Sequence, residues 1–166
     1  MADDRDPTVL TDGELRTWSA FATVLEWLPS ALDAQLQRDS GITHFEYGIV
    51  FALSQADDRT LRMSTLAEFA NSSLSRLSRA VARLERKGWV SRETDPTDGR
   101  FTLASLTADG AHHAAQAAPG HVEAVRGLVL DALTASQARQ LTEISQRIQR
   151  AIRADAGWQP PTTDAD

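Results

Sequence analysis

The periodicity of this chain changes at Gly88, and that change limits the architectures open to it. Ahead of the glycine, Leu74, Leu77, Val81 and Leu84 follow at spacings of three, four and three, the interval of a helix with one buried stripe. Behind it, Trp89-Val90-Ser91-Arg92-Glu93 and Phe101-Thr102-Leu103-Ala104-Ser105-Leu106 read as two short strands, separated by the turn-forming run Asp95-Pro96-Thr97-Asp98-Gly99. Gly88 is the expected stop of the helix. A lone two-stranded hairpin is unstable unless something packs on it, so this hairpin has to lean on the helix before it. Ser64 reads as the N-cap of a further short helix holding Leu66, Phe69 and Ala70, with Asn71-Ser72-Ser73 as the tight turn that follows. Short helix, turn, longer helix and hairpin together spell a winged helix-turn-helix.

The flanks are helical. Thr11-Asp12-Gly13-Glu14 is a capping box that opens a stripe of Leu15, Trp18, Phe21, Leu25, Leu28, Leu32 and Leu36, closed by Gly41. Pro29 inside that run is expected to kink or split it. A second capping box, Thr43-His44-Phe45-Glu46, starts a helix expected to turn Phe45, Ile49, Ala52 and Leu53 inward, and Asp57-Asp58-Arg59 marks a loop. Thr107 caps a helix expected to break at Pro119-Gly120, and Thr134-Ala135-Ser136-Gln137 leads into a last amphipathic helix with Leu141, Ile144, Ile148 and Ile152. The sequence therefore predicts a mainly α fold with a small β-hairpin wing. One domain is expected over 11–155, with helices at 11–40 and 107–155 flanking a lobe at 43–106, and disordered tails at 1–10 and 156–166. No later element covers the stripe of the last helix, so a second copy of the chain is its economical cover.

Composition narrows the function classes. The 166 residues include no cysteine, which removes disulfides, thiolate metal sites and cysteine redox sensing. No run approaches the roughly 20 apolar residues that cross a bilayer, and the acidic start lacks the apolar core of a signal peptide. A cytoplasmic location with no membrane partner is the expectation. There is no Gly-rich phosphate loop, no His-Glu-x-x-His helix and no Gly-x-Ser-x-Gly turn. Asp57-Asp58 is most simply a turn, so neither enzyme activity nor a cofactor is implied.

The net charge of −6 is unevenly spread. Between Arg59 and Arg100 stand nine basic and five acidic residues, while the rest of the chain holds eight basic and eighteen acidic ones. A basic middle between acidic ends suits a protein that holds a polyanion on one face, although a solvated charged helix reads alike on charge alone. Within that middle, Arg76, Arg79 and Arg83 repeat at three and four, with Ser73, Ser75 and Ala80 near the leading edge of the same helix. Small residues there permit close approach to a groove floor, and arginines read guanine edges or hold phosphate. Ser73, Ser75 and Arg76 are expected to contact bases in double-stranded DNA, and Arg79 and Arg83 phosphate or guanine. Arg62 and Ser64 are expected near the backbone. Arg100 at the hairpin tip suits a minor groove, with Asp98 aiming it; the alternative is a surface ion pair of little consequence.

The ordered set Leu66-Ala67-Glu68, Ser75-Arg76-Leu77-Ser78-Arg79, Val81, Arg83-Leu84-Glu85, Gly88, Val90, Asp95-Pro96, Asp98-Gly99-Arg100 and Leu106-Thr107-x-x-Gly110 resembles the MarR (multiple antibiotic resistance regulator) family. Leu61-Arg62-Met63-Ser64 is similar to many actinobacterial members, and Ala117-Ala118-Pro119-Gly120-His121-Val122 with Arg126, and Leu133-Thr134 with Gln137, resemble their C-terminal helices. The likeness spans about residues 10 to 155. It implies a transcriptional regulator, most often a repressor, that dimerises through its first and last helices. Many members leave DNA when a small effector or oxidant binds. A twofold dimer sets two such helices about one DNA turn, near 34 Å, apart and favours a palindromic operator.

Trp18, Trp27, His44 and Tyr47 are candidates to line an effector cleft where the dimer helices meet the lobe, against the plainer reading as core aromatics. Four histidines (His44, His112, His113 and His121) raise the question of metal, since some zinc-responsive relatives use His and Glu from the matching helices. Adjacent His112 and His113 point about 100° apart on a helix, so no metal site is expected. The rival reading is a ligand- or zinc-responsive dimer whose winged helix mediates protein contacts. Arginines rather than aromatics on the exposed helix speak against it.

Overall fold

The computed structural model describes residues 8–153. Its order is α1 (Asp12–Ser40), α2 (His44–Gln55), β1 (Thr60–Arg62), α3 (Met63–Phe69), α4 (Leu74–Arg86), β2 (Val90–Thr94), β3 (Thr102–Leu106), α5 (Ala108–Val125), a π-helical turn (Arg126–Leu130) and α6 (Ala135–Arg153). The fold is mainly α with one small antiparallel sheet, ordered β1-β3-β2. Both predicted capping boxes close as drawn: the Thr11 and Thr43 hydroxyls accept the Glu14 and Glu46 amides, and each glutamate takes the amide of its threonine. The Gln137 side chain does the same for Thr134. No described helix is long and apolar enough to cross a membrane. Of the expected tails, residues 1–7 and 156–166 lie outside the described residues.

Several local expectations are corrected. The hairpin gains a third strand, with Thr60, Leu61 and Arg62 pairing with Ser105, Ala104 and Leu103. The Asp57–Arg59 segment is a 3-10 turn whose Asp58 and Arg59 take left-handed backbone, φ 50° and 55°, to swing the chain into that strand. Because β1 runs directly into α3, the extended residue at the helix start is Arg62, and Ser64 lies inside the first turn rather than capping it. Pro29 splits nothing, and α5 runs through Pro119. Both prolines are exposed, where water can take the carbonyl left without its amide. The C-terminal helices part instead at the π turn, where Asp131 N–H reaches back to the Arg126 carbonyl. Leu74 is exposed, because the first turn of α4 projects beyond the core. Phe45 is only partly buried, at the edge of the core.

The core is one cluster under the lobe. Leu36 and Ile42 arrive from the end of α1, Ile49 and Leu53 from α2, Leu66 from α3, Leu77, Val81 and Leu84 from α4, and Val90, Ala104 and Leu106 from the sheet. These apolar contacts fix which face of α4 points outward. The flanking helices are a different matter. Leu15, Trp18, Leu25 and Trp27 of α1 and Leu141, Ile144 and Ile152 of α6 are exposed, and α6 shares no broad contact with any other described element.

Candidate nucleic-acid interface

The turn between α3 and α4 is tight because Asn71 adopts left-handed backbone, φ 43°, and the Ser72 amide returns to the Ala67 carbonyl. Ser73 then caps α4, its hydroxyl accepting the Arg76 amide and meeting the Ser75 hydroxyl at 3.2 Å. Leu77, Ala80, Val81 and Leu84 are the buried line of α4. At about 100° per residue, the opposite line runs through Ser75, Arg79, Ala82 and Arg86. Arg79 and Arg86 are exposed, and neither forms an ion pair with a described residue. Arg86 was not among the residues singled out from sequence. Its signal was present: it follows Arg79 by seven residues, which is two turns on the same line.

Arg76 and Arg83 lie on the shoulder of α4 that faces α2. The Arg76 guanidinium sits 4.4 Å from the centre of the Phe45 ring. Arg83 Nε donates to Glu46 Oε1 at 2.6 Å. Burial pushes the Glu46 carboxyl up, but the Thr43 amide and the Arg83 guanidinium outweigh it and leave it below the usual carboxylate range. A cavity of about 330 Å³ opens beside this shoulder, lined by Asp33, Thr43, Phe45, Arg76, Arg79 and Arg83.

The wing is pinned at its root and open at its tip. Asp95 Oδ1 accepts the Thr97 amide and hydroxyl at 2.8 and 2.6 Å, while Oδ2 accepts Arg62 Nε and Nη2 at 2.9 and 2.8 Å. These bonds, Thr97 first and Arg62 after, hold its carboxyl at about 2. Arg62 also covers the Phe101 ring at 4.4 Å. At the tip, Asp98 grips Arg100 through both oxygens, Nε to Oδ1 at 2.9 Å and Nη2 to Oδ2 at 2.6 Å. The pair leaves Arg100 83 % exposed in a fixed direction. Ser64 is exposed on the first turn of α3.

The four candidate cleft residues do not come together. His44 and Tyr47 both approach His121 of α5, whose ring lies 5.9 Å from His44 and 4.5 Å from Tyr47. Trp18 tilts against Phe21 on α1, and Trp27 is exposed. Nor do His44, His112 and His113 converge. His113 stacks on Trp89 at 3.7 Å and His112 meets Gln116, so His44 finds His121 instead. Among the described residues no group of three or more His, Asp or Glu side chains is placed to hold a metal ion.

A sequence profile of the MarR family matches residues 40–100. Over nearly the whole chain the structure is similar to two Streptomyces coelicolor MarR family transcriptional regulators. Sco3205, solved in complex with DNA, is 42% identical with a TM-score of 0.84, over 92% of this chain and 96% of that one. AbsC is 33% identical with a TM-score of 0.83, over 89% and 99%. The transcriptional regulator HosA of Escherichia coli O111:H- is 36% identical over 78 residues, 47% of this chain and 56% of its own length. The chain thus spans about half the length of the curated relatives it matches.

Proposed function

Since the chain belongs to the MarR family of transcriptional regulators, which are not enzymes, we propose that it is a sequence-specific DNA-binding regulator. It acts as a homodimer on a palindromic operator, as a repressor released by a small-molecule effector. The observation that carries this reading is the outward line of α4, where Ser75, Arg79 and Arg86 stand exposed opposite the buried Leu77–Leu84 line, beside a wing that holds Arg100 outward. Small hydroxyls followed by unpaired guanidiniums are the chemistry of base edges and phosphates. Ser73, Ser75 and Arg76 meet bases, Arg79 and Arg86 meet guanine or phosphate, and Arg100, held by Asp98, enters the minor groove. Arg62 and Ser64 border the backbone. The effector acts where His44, Tyr47 and His121 join the lobe to α5.

The apolar surface supports the dimer. Trp18, Leu25, Trp27, Leu141, Ile144 and Ile152 stand exposed on α1 and α6, apolar side chains that a second copy of the chain would cover. The functional test is selection of binding sites from random duplex DNA, followed by fluorescence anisotropy at two or more salt concentrations. A palindromic consensus, two protomers per duplex and a steep salt dependence are expected. Weak binding indifferent to sequence would overturn the proposal and favour a winged helix that serves a protein partner.

A further inference from the structure

We infer that Glu46 is a positioning residue for DNA reading: its buried carboxylate grips Arg83, and through Arg83 it fixes the fine rotation of α4, so that Arg83 is a strut and not a DNA ligand. The inference rests on α4 being the DNA-reading helix.

Glu46 is 3 % exposed, and its two oxygens have separate duties. Oε2 takes the Thr43 amide at 3.1 Å and Oε1 takes Arg83 Nε at 2.6 Å, while the Glu46 amide goes to the Thr43 hydroxyl. The carboxylate is therefore held by its own helix N-terminus before it meets Arg83, and it cannot swing away without undoing that cap. Phe45, its neighbour in α2, carries Arg76. Two adjacent residues of α2 thus hold two residues of α4 that lie seven positions, about two helical turns, apart. The apolar contacts under α4 fix which face turns outward, but being non-directional they leave its fine rotation loose. A charged hydrogen bond and a ring contact on one shoulder set that fine rotation, which decides how Ser75, Arg79 and Arg86 are aimed. Sites of this kind tolerate deviations of only about 10–20°. Pulling the Arg83 Nε away toward a phosphate would cost the buried carboxylate its charged partner and leave it only the Thr43 amide.

The test uses the full chain and two duplexes, one selected by the wild-type protein from random DNA and one scrambled version of the same length. If the wild-type protein selects no duplex, the DNA-binding reading itself fails, and that outcome is distinct from those below. Glu46→Gln keeps an oxygen for the Thr43 amide. It is expected to weaken the selected duplex about tenfold, leave the scrambled duplex within about twofold, and leave the salt slope unchanged. Arg83→Gln should do the same, and the double variant should be no weaker than either single one. Arg83→Lys, which keeps the charge but not the planar Nε contact, should behave like Arg83→Gln; a phosphate ligand would tolerate it. Three results would overturn the inference: Glu46→Gln binding like wild type, Arg83→Gln lowering the salt slope by about one on both duplexes, or Arg83→Lys restoring full affinity.

Discussion

Arg62 and Asp95, thirty-three positions apart, are joined by two hydrogen bonds to a single carboxylate oxygen, Nε at 2.9 Å and Nη2 at 2.8 Å. The contact ties the last residue of β1 to the root of the wing, and Thr97 occupies the other oxygen of Asp95. Asp95→Asn weakens the acceptor that both Arg62 and Thr97 use, so the wing loses its anchor while the core under α4 stays intact. The expected outcome is about a tenfold loss of affinity for the selected duplex, which is about 1.4 kcal/mol of binding, with a smaller effect on thermal unfolding. Anisotropy of the variant checks this, and unchanged affinity would mean that the wing makes no use of the clamp. The sign with pH follows. With the Asp95 carboxyl drawn from 3.8 to about 2, its contribution is present above 3.8 and is lost only as pH falls through that window.

Gly110 gives the second prediction. A Cβ placed on it would stand 2.1 Å from the Trp89 carbonyl oxygen and 2.8 Å from a Leu106 methyl. The oxygen cannot yield easily, because it accepts the Thr107 amide at 3.1 Å, and the Thr107 hydroxyl binds the Gly88 carbonyl beside it. Gly110→Ala must therefore push α5 off the end of α4, with an expected loss of about 1–3 kcal/mol in urea unfolding. Wild-type stability in that variant would show that the α4–α5 junction is slack.

What the sequence disclosed depended on how local each interaction is. The capping boxes at Thr11, Thr43 and Thr134 lie within three residues of their partners, and all three close as read. The wing turn, the α4 stop at Gly88 and the Thr107 cap are likewise local. β1 escaped because three residues carry no period, and its only warrant is pairing with β3 more than forty positions away. The prolines misled for a related reason: whether a helix tolerates one depends on which side faces water. By spacing alone Arg76, Arg79 and Arg83 fall on one face of α4, yet a face is defined by what the helix packs on. Only the buried Leu77, Ala80, Val81 and Leu84 reveal that Arg76 and Arg83 stand on the shoulder while Arg86 joins the outward line. Nothing in the pattern of residues 43–46 announced that Glu46 serves α4 as well as its own cap.

The histidines predict an acid-sensitive fold. His44, His113 and His121 each bury a ring nitrogen without a hydrogen-bond partner. Burial pushes all three below 6.5; Asp33 partly offsets this for His44 and the Ser40 backbone for His113, while His44 adds to it for His121 and Lys87 and His112 add to it for His113. The unfolded chain therefore takes up protons at a higher pH than the folded one. Stability is complete above 6.5, falls as pH drops through 6.5 toward the depressed values, and levels off beneath them. Thermal melts at steps from about pH 7.5 to 5 should show a declining midpoint, and His121→Gln should flatten part of that decline. A midpoint independent of pH over that range would sink the prediction.

The last prediction concerns the exposed apolar helices. In α6, Leu141 and Ile144 are about half exposed and Ile152 more so, and a helix of this length without tertiary cover is marginal in water. α1 presents Leu15, Trp18 and Leu25 in the same state. Two incomplete surfaces on one chain are satisfied together when a second copy supplies the missing half, and the twofold arrangement also gives two α4 helices for one palindrome. Light scattering of the wild-type chain should therefore give twice 18.1 kDa. Ile144→Asp places a charge in that seam, and the expected mass is that of one chain. Its affinity for a palindromic duplex should fall about 10²-fold or more, because the second half-site no longer benefits from the first. Its affinity for a single half-site should stay near that of the wild-type protein, since Ile144 is remote in sequence from α4 and the wing. A monomeric wild-type chain at micromolar concentration would refute the dimer, and a dimeric Ile144→Asp would move the interface away from α6.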